Sequence, residues 1–117
     1  MALPALVGAA GAAEQLVLAE GGKTEYRVVG MAKPTELEFA AANDLKSTLK
    51  EITGADFGSD ETKTRNIYIG IQPECDKEPL KEYERRITSS NGDIYLYGEG
   101  ARGNGLAVYG FLRRALR

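Results

Sequence analysis

Apolar residues recur along this 117-residue chain in two rhythms. From Pro34 to Thr53 the rhythm is helical. Ala41, Leu45, Leu49 and Ile52 stand four, four and three residues apart, which places them on one helix face, with Lys46, Lys50 and Glu51 on the other. Thr35 and Glu38 have the spacing of a capping box, in which the hydroxyl meets an orphan N–H of the first turn and the carboxylate reaches back. Gly54 follows as the stop, because glycine takes the left-handed conformation without a Cβ penalty. Elsewhere short β-branched and aromatic runs predict five strands: Leu16 to Ala19, Tyr26 to Val29, Asn66 to Gly70, Tyr83 to Ser89, and Asp93 to Tyr97. The turn Glu20-Gly21-Gly22 suggests that the first two form a hairpin. Asn91-Gly92 supplies the two positive-φ positions of a tight turn between the last two.

The strand from Asp93 to Tyr97 carries Ile94 and Leu96 on one face and Tyr95 and Tyr97 on the other. Apolar on both faces, it is expected to be central or covered. A second helix is expected from Asn104, an N-cap residue type. Leu106, Val108, Tyr109, Phe111 and Leu112 wrap most of its circumference and predict burial. Arg113, Arg114 and Arg117 lie at its C-terminal end, where cations suit the helix dipole. The order β-β-α-β-β-β-α points to an α+β domain, a mixed β-sheet with two main helices packed on one face.

Composition narrows the chemistry. A formal net charge of −2 lacks the excess of cations that phosphate neutralisation calls for, so nucleic acid is not an expected partner. Histidine is absent, which removes the usual acid–base side chain near neutral pH and the commonest metal ligand. Cys75 is the only cysteine, so no internal disulfide forms, and it reads as a bystander thiol. The segment 1–14 is apolar and small. Ala10-Gly11-Ala12 has a small-x-small pattern acceptable to a signal peptidase. The segment reads as the remnant of an export signal, placing the protein outside the cytoplasm or in a periplasm, or else as a flexible alanine-rich terminus of a cytoplasmic protein. It is too short to span a bilayer. Residues 15–117 then form one domain.

Gly98-Glu99-Gly100-Ala101-Arg102-Gly103 matches the spacing of a dinucleotide fingerprint after a strand and before a helix. No strand follows, no acidic residue stands about 20 positions on, and Glu99 sets a carboxylate where pyrophosphate would lie. The glycines are therefore expected to serve a sharp strand-to-helix turn, with no cofactor. Glu74, Asp76 and Glu78 form an acidic loop without the glycine and terminal glutamate of a calcium loop, and a solvated surface is expected. The carboxylates suggest no catalytic pair, and serines have no histidine partner. Tyr68, Tyr95 and Tyr97 fall on neighbouring strands, where cross-strand packing competes with a role as sugar or interface contacts.

Four motifs in order carry a resemblance. Ala40-Ala41-Ala42-Asn43-Asp44-Leu45-Lys46-Ser47-Thr48-Leu49-Lys50-Glu51-Ile52-Thr53-Gly54-Ala55, Ile67-Tyr68-Ile69-Gly70, Gly92 to Gly98, and Ala101-Arg102-Gly103-Asn104-Gly105-Leu106-Ala107-Val108-Tyr109-Gly110-Phe111-Leu112 resemble the N-terminal domain of α-glucuronidases. A related domain precedes the barrel in β-N-acetylhexosaminidases and in hyaluronidase-type hexosaminidases. The resemblance covers Val17 to Leu116. It implies a β-N-acetylhexosaminidase domain-2-like fold, a non-catalytic accessory role, and a catalytic (β/α)8 barrel as partner. Since the family's catalytic carboxylates belong to the barrel, it implies no catalytic residue here. It assigns structural roles to Gly54 at the helix end, to Arg102 and Gly103 at the strand-to-helix corner, and to Tyr109 in packing of the last helix. Gly105 and Gly110 depart from the family pattern. The alternative from the residues alone is a free-standing carbohydrate-binding or protein-interaction module.

Overall fold

The computed structural model describes residues 2–9, 12–58, 62–82 and 84–115, with side chains from residue 17 to residue 114. Tyr83, Arg117 and the Ala10-Gly11 half of the small-x-small motif lie outside the described residues. The elements are β1 (Ala2–Ala9), β2 (Ala12–Glu20), β3 (Tyr26–Val29), α1 (Glu36–Thr53), β4 (Arg65–Ile69), β5 (Arg85–Ser90), β6 (Asp93–Gly98) and α2 (Gly100–Ala115). The fold is α+β, with both helices on one face of a mixed sheet.

The sheet is built around four strands in the order β5-β6-β4-β3. β5 and β6 are an antiparallel hairpin, and Asn91 (φ 54°) with Gly92 (φ 86°) makes its turn as the sequence requires. β4 runs parallel to β6, and β3 parallel to β4. The parallel β3–β4 pair is possible because α1 carries the chain back between them. β6 is thus interior, as its two apolar faces predict.

Two expectations are corrected at the N-terminal side. The stretch read as a tail forms β1 and the start of β2, an antiparallel hairpin whose register shifts between Leu3 and Pro4. A shift there suits proline, which has no N–H to offer the ladder. β1 joins β5 over only Gly8 and Ala9. The second correction concerns β2 and β3. They lie at opposite ends of the strand order and form no hairpin. Glu20 and Lys23 bridge across Gly21 and Gly22, both at positive φ, and the chain leaves this turn toward the other edge.

One core lies between sheet and helices. Val28, Ile67, Ile69, Ile94 and Leu96 point from the strands toward Ala41, Leu45 and Leu49 of α1 and Ala107, Val108 and Phe111 of α2. The alternation is strict, so each strand turns its other residues to the opposite face.

Helix α1 follows its sequence signals. Thr35 Oγ1 accepts from the Glu38 N–H at 3.2 Å, and Glu38 Oε1 accepts from the Thr35 N–H at 2.8 Å. Gly54 closes the helix at φ 75°, its N–H donating to the Lys50 carbonyl. Thr35→Ala is expected to lower stability by about 1 kcal/mol, the usual worth of an N-cap, read as a lower Tm by circular dichroism.

Helix α2 begins four residues earlier than its sequence suggests. Gly100 (φ 68°) turns the chain directly into the helix, and Asn104 lies within the first turns, buried, and not at a cap. The expected burial of the apolar belt is also only partial. Val108, Phe111 and Leu112 are buried, whereas Leu106 and Tyr109 face outward.

Candidate functional site

The glycine-rich corner is a packing device. A Cβ on Gly98 would collide with the carbonyl of Gly103 and stand 2.6 Å from the Glu84 oxygen. A Cβ on Gly103 would meet the Gly98 carbonyl carbon at 2.7 Å and its Cα at 2.9 Å. The backbone of α2 therefore lies directly on the end of β6, which only two facing glycines permit. Arg102, expected at this corner, is exposed on the first turn of α2, while Gly103 faces the strand.

Behind this corner lies a polar relay that the sequence did not reveal. Asn104 Oδ1 accepts from the Gly98 N–H at 2.9 Å, and its amide donates to Glu38 Oε2 at 2.8 Å. Glu38 is itself buried, and its other oxygen holds the Thr35 N–H. Burial pushes the Glu38 carboxyl up, but the Thr35 backbone, the Asn104 amide and the Thr35 hydroxyl outweigh it, so the group is held below its ordinary value. One chain of bonds thus links the start of α1, the first turns of α2 and the end of β6. The available signal was an asparagine set between Gly103 and Gly105, where the backbone can come close.

Outside the core, the helical layer presents large apolar side chains. Leu37 (46% exposed) lies beside Gly105, Tyr109 (40%) lies on the same seam between the helices, and Leu106 (37%) is exposed on α2. The Tyr109 hydroxyl donates to Asp44 Oδ2 at 2.6 Å, tying α2 to α1, and this bond raises the phenol's pKa. Phe39 is 59% exposed on the other flank of α1. It borders a groove of about 310 Å³ lined by Val28, Met31, Pro34 and Ala42. The carboxylate of Glu38 at this groove is committed to Thr35 and Asn104, so the groove gains no free polar anchor from it.

The opposite face of the sheet gathers the three tyrosines in different ways. Tyr68 and Tyr95 stack on each other, centroids 4.9 Å apart and planes 23° apart, and both are half-buried. The stack occupies one face of each ring. Beside them runs a polar row: Arg27 Nε donates to Asn66 Oδ1 at 2.7 Å, and Asp93 Oδ1 accepts from the Asn66 N–H at 2.8 Å. Tyr97 is only 1% exposed, because the segment between β4 and β5 lies over it. Its hydroxyl is within 3.0 Å of Thr88 Oγ1 and donates to Asp76 Oδ2. Burial and that carboxylate push the Tyr97 phenol up to about 12.

The acidic loop is correspondingly not a row of free carboxylates. Asp76 is bound by Tyr97 and by both contacts of the Arg86 guanidinium, at 2.9 and 2.7 Å, and these hold its carboxyl below the ordinary value. Among the described residues no group of three histidine, cysteine, aspartate or glutamate side chains is placed to hold a metal ion. Cys75 is exposed. Among the described residues no helix is long and apolar enough to cross a membrane.

No family model, curated protein or solved structure matches this chain. Two of its surfaces are distinctive: the apolar outer side of the helical layer, and the tyrosine-bearing side of the sheet.

Proposed function

We propose that this chain is a non-catalytic accessory domain of a carbohydrate-active enzyme of the α-glucuronidase type, a β-N-acetylhexosaminidase domain-2-like unit that packs on a catalytic (β/α)8 barrel. The observation that carries the reading is the exposure of Leu37 and Tyr109 along the seam between the two helices, with Leu106 exposed on α2 and Phe39 on the other flank of α1. Single exposed apolar residues are ordinary, but several large ones on one layer are a surface suited to a partner. The α+β architecture and the ordered motifs of the sequence support the same reading. The buried, fully bonded Glu38 and the latched Asp76 are carboxylates held for structure, in keeping with a non-catalytic role.

Two measurements test this. The purified chain is expected to release no chromophore from aryl glycosides; turnover by this chain alone sinks the reading. Mixed with an α-glucuronidase barrel produced without its own N-terminal domain, it is expected to form a complex in size-exclusion chromatography. Leu106→Asp combined with Leu37→Asp is expected to remove that complex while leaving the far-ultraviolet spectrum intact, because both side chains already face solvent.

The Tyr68–Tyr95 pair favours a second reading, a carbohydrate-binding or protein-interaction module. Its mark is tight binding of an oligosaccharide by the isolated chain, lost in Tyr95→Ala. Binding of that kind with no barrel complex replaces the first reading with the second.

A further inference from the structure

The segment from Gln72 to Lys81 crosses the tyrosine-bearing side of the sheet without joining it as a strand. Its internal bonds are short-range turns: the Asp76 N–H donates to the Pro73 carbonyl at 3.0 Å, the Glu78 N–H to Asp76 Oδ1 at 3.2 Å, and the Gln72 amide to the Glu78 carbonyl at 2.9 Å. Its bonds to the sheet are concentrated. Arg86 Nη1 donates to both oxygens of Asp76 and to the Glu78 carbonyl at 3.1 Å, and Nη2 donates to the Pro79 carbonyl at 3.3 Å. Tyr97 adds its hydroxyl to Asp76. Among the described residues, every hydrogen bond from 72–80 to the strands ends on Arg86 or Tyr97, which face each other across β5 and β6. At the far end Glu84 closes the turn, accepting from the Lys81 N–H at 2.8 Å and from Arg86 Nε at 3.0 Å.

We propose that residues 72–82 are a strap held shut by the single guanidinium of Arg86, and that loss of the Asp76 charge opens the strap as a unit and uncovers Tyr97 beside the Tyr68–Tyr95 pair. The geometry gives the segment a common point of release. A guanidinium nitrogen on a carboxylate makes a strong, charge-assisted bond, and here one nitrogen, Nη1, holds both Asp76 oxygens. When it goes, the remaining contacts are Arg86's bonds to two carbonyls, the Tyr97 hydroxyl and turns within the strap. The groups facing Asp76 are Arg86 from β5, Tyr97 from β6 and Glu78 from the strap itself; Arg86 also holds Glu84, and Tyr97 also meets Thr88. Asp76 and Glu84 are both held below their ordinary values, Asp76 by Tyr97 and Arg86, Glu84 chiefly by Arg86. A group depressed in the closed state stabilises that state above its ordinary pKa and loses the effect as pH falls through the depressed one. The latch is therefore at full strength at neutral pH and weakens in acid, below the ordinary aspartate value of 3.8. Opening would turn the Tyr68–Tyr95 pair into a longer aromatic strip on the sheet.

The test is amide hydrogen exchange with mass spectrometry at pH 7 on the full chain, comparing wild type with Asp76→Asn and Arg86→Lys. The amides of Asp76, Glu78 and Lys81 are the reporters. Local acceleration of about tenfold or more in peptides covering 72–82, with α1 and α2 unchanged, is expected in either variant. Tyrosine nitration at Tyr97 is expected to rise with it. Unchanged exchange in both variants, or acceleration spread equally over the helices, overturns the proposal. The second result makes the segment an integral part of the cooperative core.

Discussion

Gly98→Ala and Gly103→Ala are each expected to destabilise the domain severely, by about 3 kcal/mol or more. The reason is that both neighbours of the new methyl group are backbone. Beside Gly98 stand the Gly103 carbonyl and the Glu84 oxygen; beside Gly103 stand Gly98 and the same Glu84 oxygen at 3.0 Å. A crowding side chain can rotate away, but a peptide group moves only with the element that carries it. Relieving the contact means lifting α2 off β6. That would part Val108 and Phe111 from Ile94 and Leu96, all of them buried. Overpacking commonly costs ~1–3 kcal/mol, and where backbone must shift it reaches or exceeds the upper end. Domains of this size hold only ~5–15 kcal/mol in total. The check is urea denaturation of each variant, with Gly105→Ala as control. Its new Cβ would meet only Leu37 side-chain atoms, the nearest at 3.6 Å, an ordinary contact. In mid-helix, alanine gains ~1 kcal/mol of propensity over glycine, so the control is expected to be neutral or stabilising. Equal loss in all three variants would refute the packing account of the corner.

Asn104→Ala is the second large effect. The substitution leaves the Gly98 N–H without its acceptor and Glu38 Oε2 without its donor, both in the interior. Removing one partner of a buried bond exposes the desolvation cost of the other, ~1–3 kcal/mol and more for a charged group. A loss of roughly 3 kcal/mol is expected from urea midpoints. The pH dependence distinguishes this from a simple cavity. In the wild type the depressed Glu38 carboxyl adds stability above its ordinary value of 4.5, and that increment is lost as pH falls through the depressed value. Without Asn104 one of the depressing bonds is gone while burial remains, so the increment shrinks and the variant's disadvantage narrows in acid. A disadvantage constant from pH 7 to pH 3 would mean that the asparagine acts only by filling space.

The parts of this molecule legible in its sequence are those fixed by neighbours in the chain. The box of Thr35 and Glu38, the stop at Gly54 and the turn at Asn91-Gly92 each need no more than four residues to be recognised, and each stands where its local chemistry puts it. Misreadings came where a distant group decides. Asn104 has a cap residue's identity, yet Gly98 and Glu38 claim its side chain from six and 66 positions away. β2 and β3 are separated by a turn that looks like a hairpin, yet β3 pairs with β4 because α1 returns the chain there. The Asp76–Arg86–Tyr97 cluster draws on three places in the sequence, and each residue alone looks like ordinary surface. The three tyrosines shared a face as the alternation required, but only the structure separates the stacked Tyr68–Tyr95 pair from the covered Tyr97.

The strand order has a consequence for how the chain is made. β6 is the last of the six described strands in chain order, and it lies in the middle of the sheet, between β5 and β4. Until about residue 98 has left the ribosome, β4 with β3 and β5 with β1 are separate halves with no strand to join them. Each half presents an unpaired edge where β6 will insert, and such edges invite pairing with other chains. On the β4 side the insertion joins residues as far apart as Ile67 and Ile94, which is slow compared with closing the β5–β6 hairpin. The nascent domain thus depends on a keystone delivered late, and α2 follows within two residues to lock it in place.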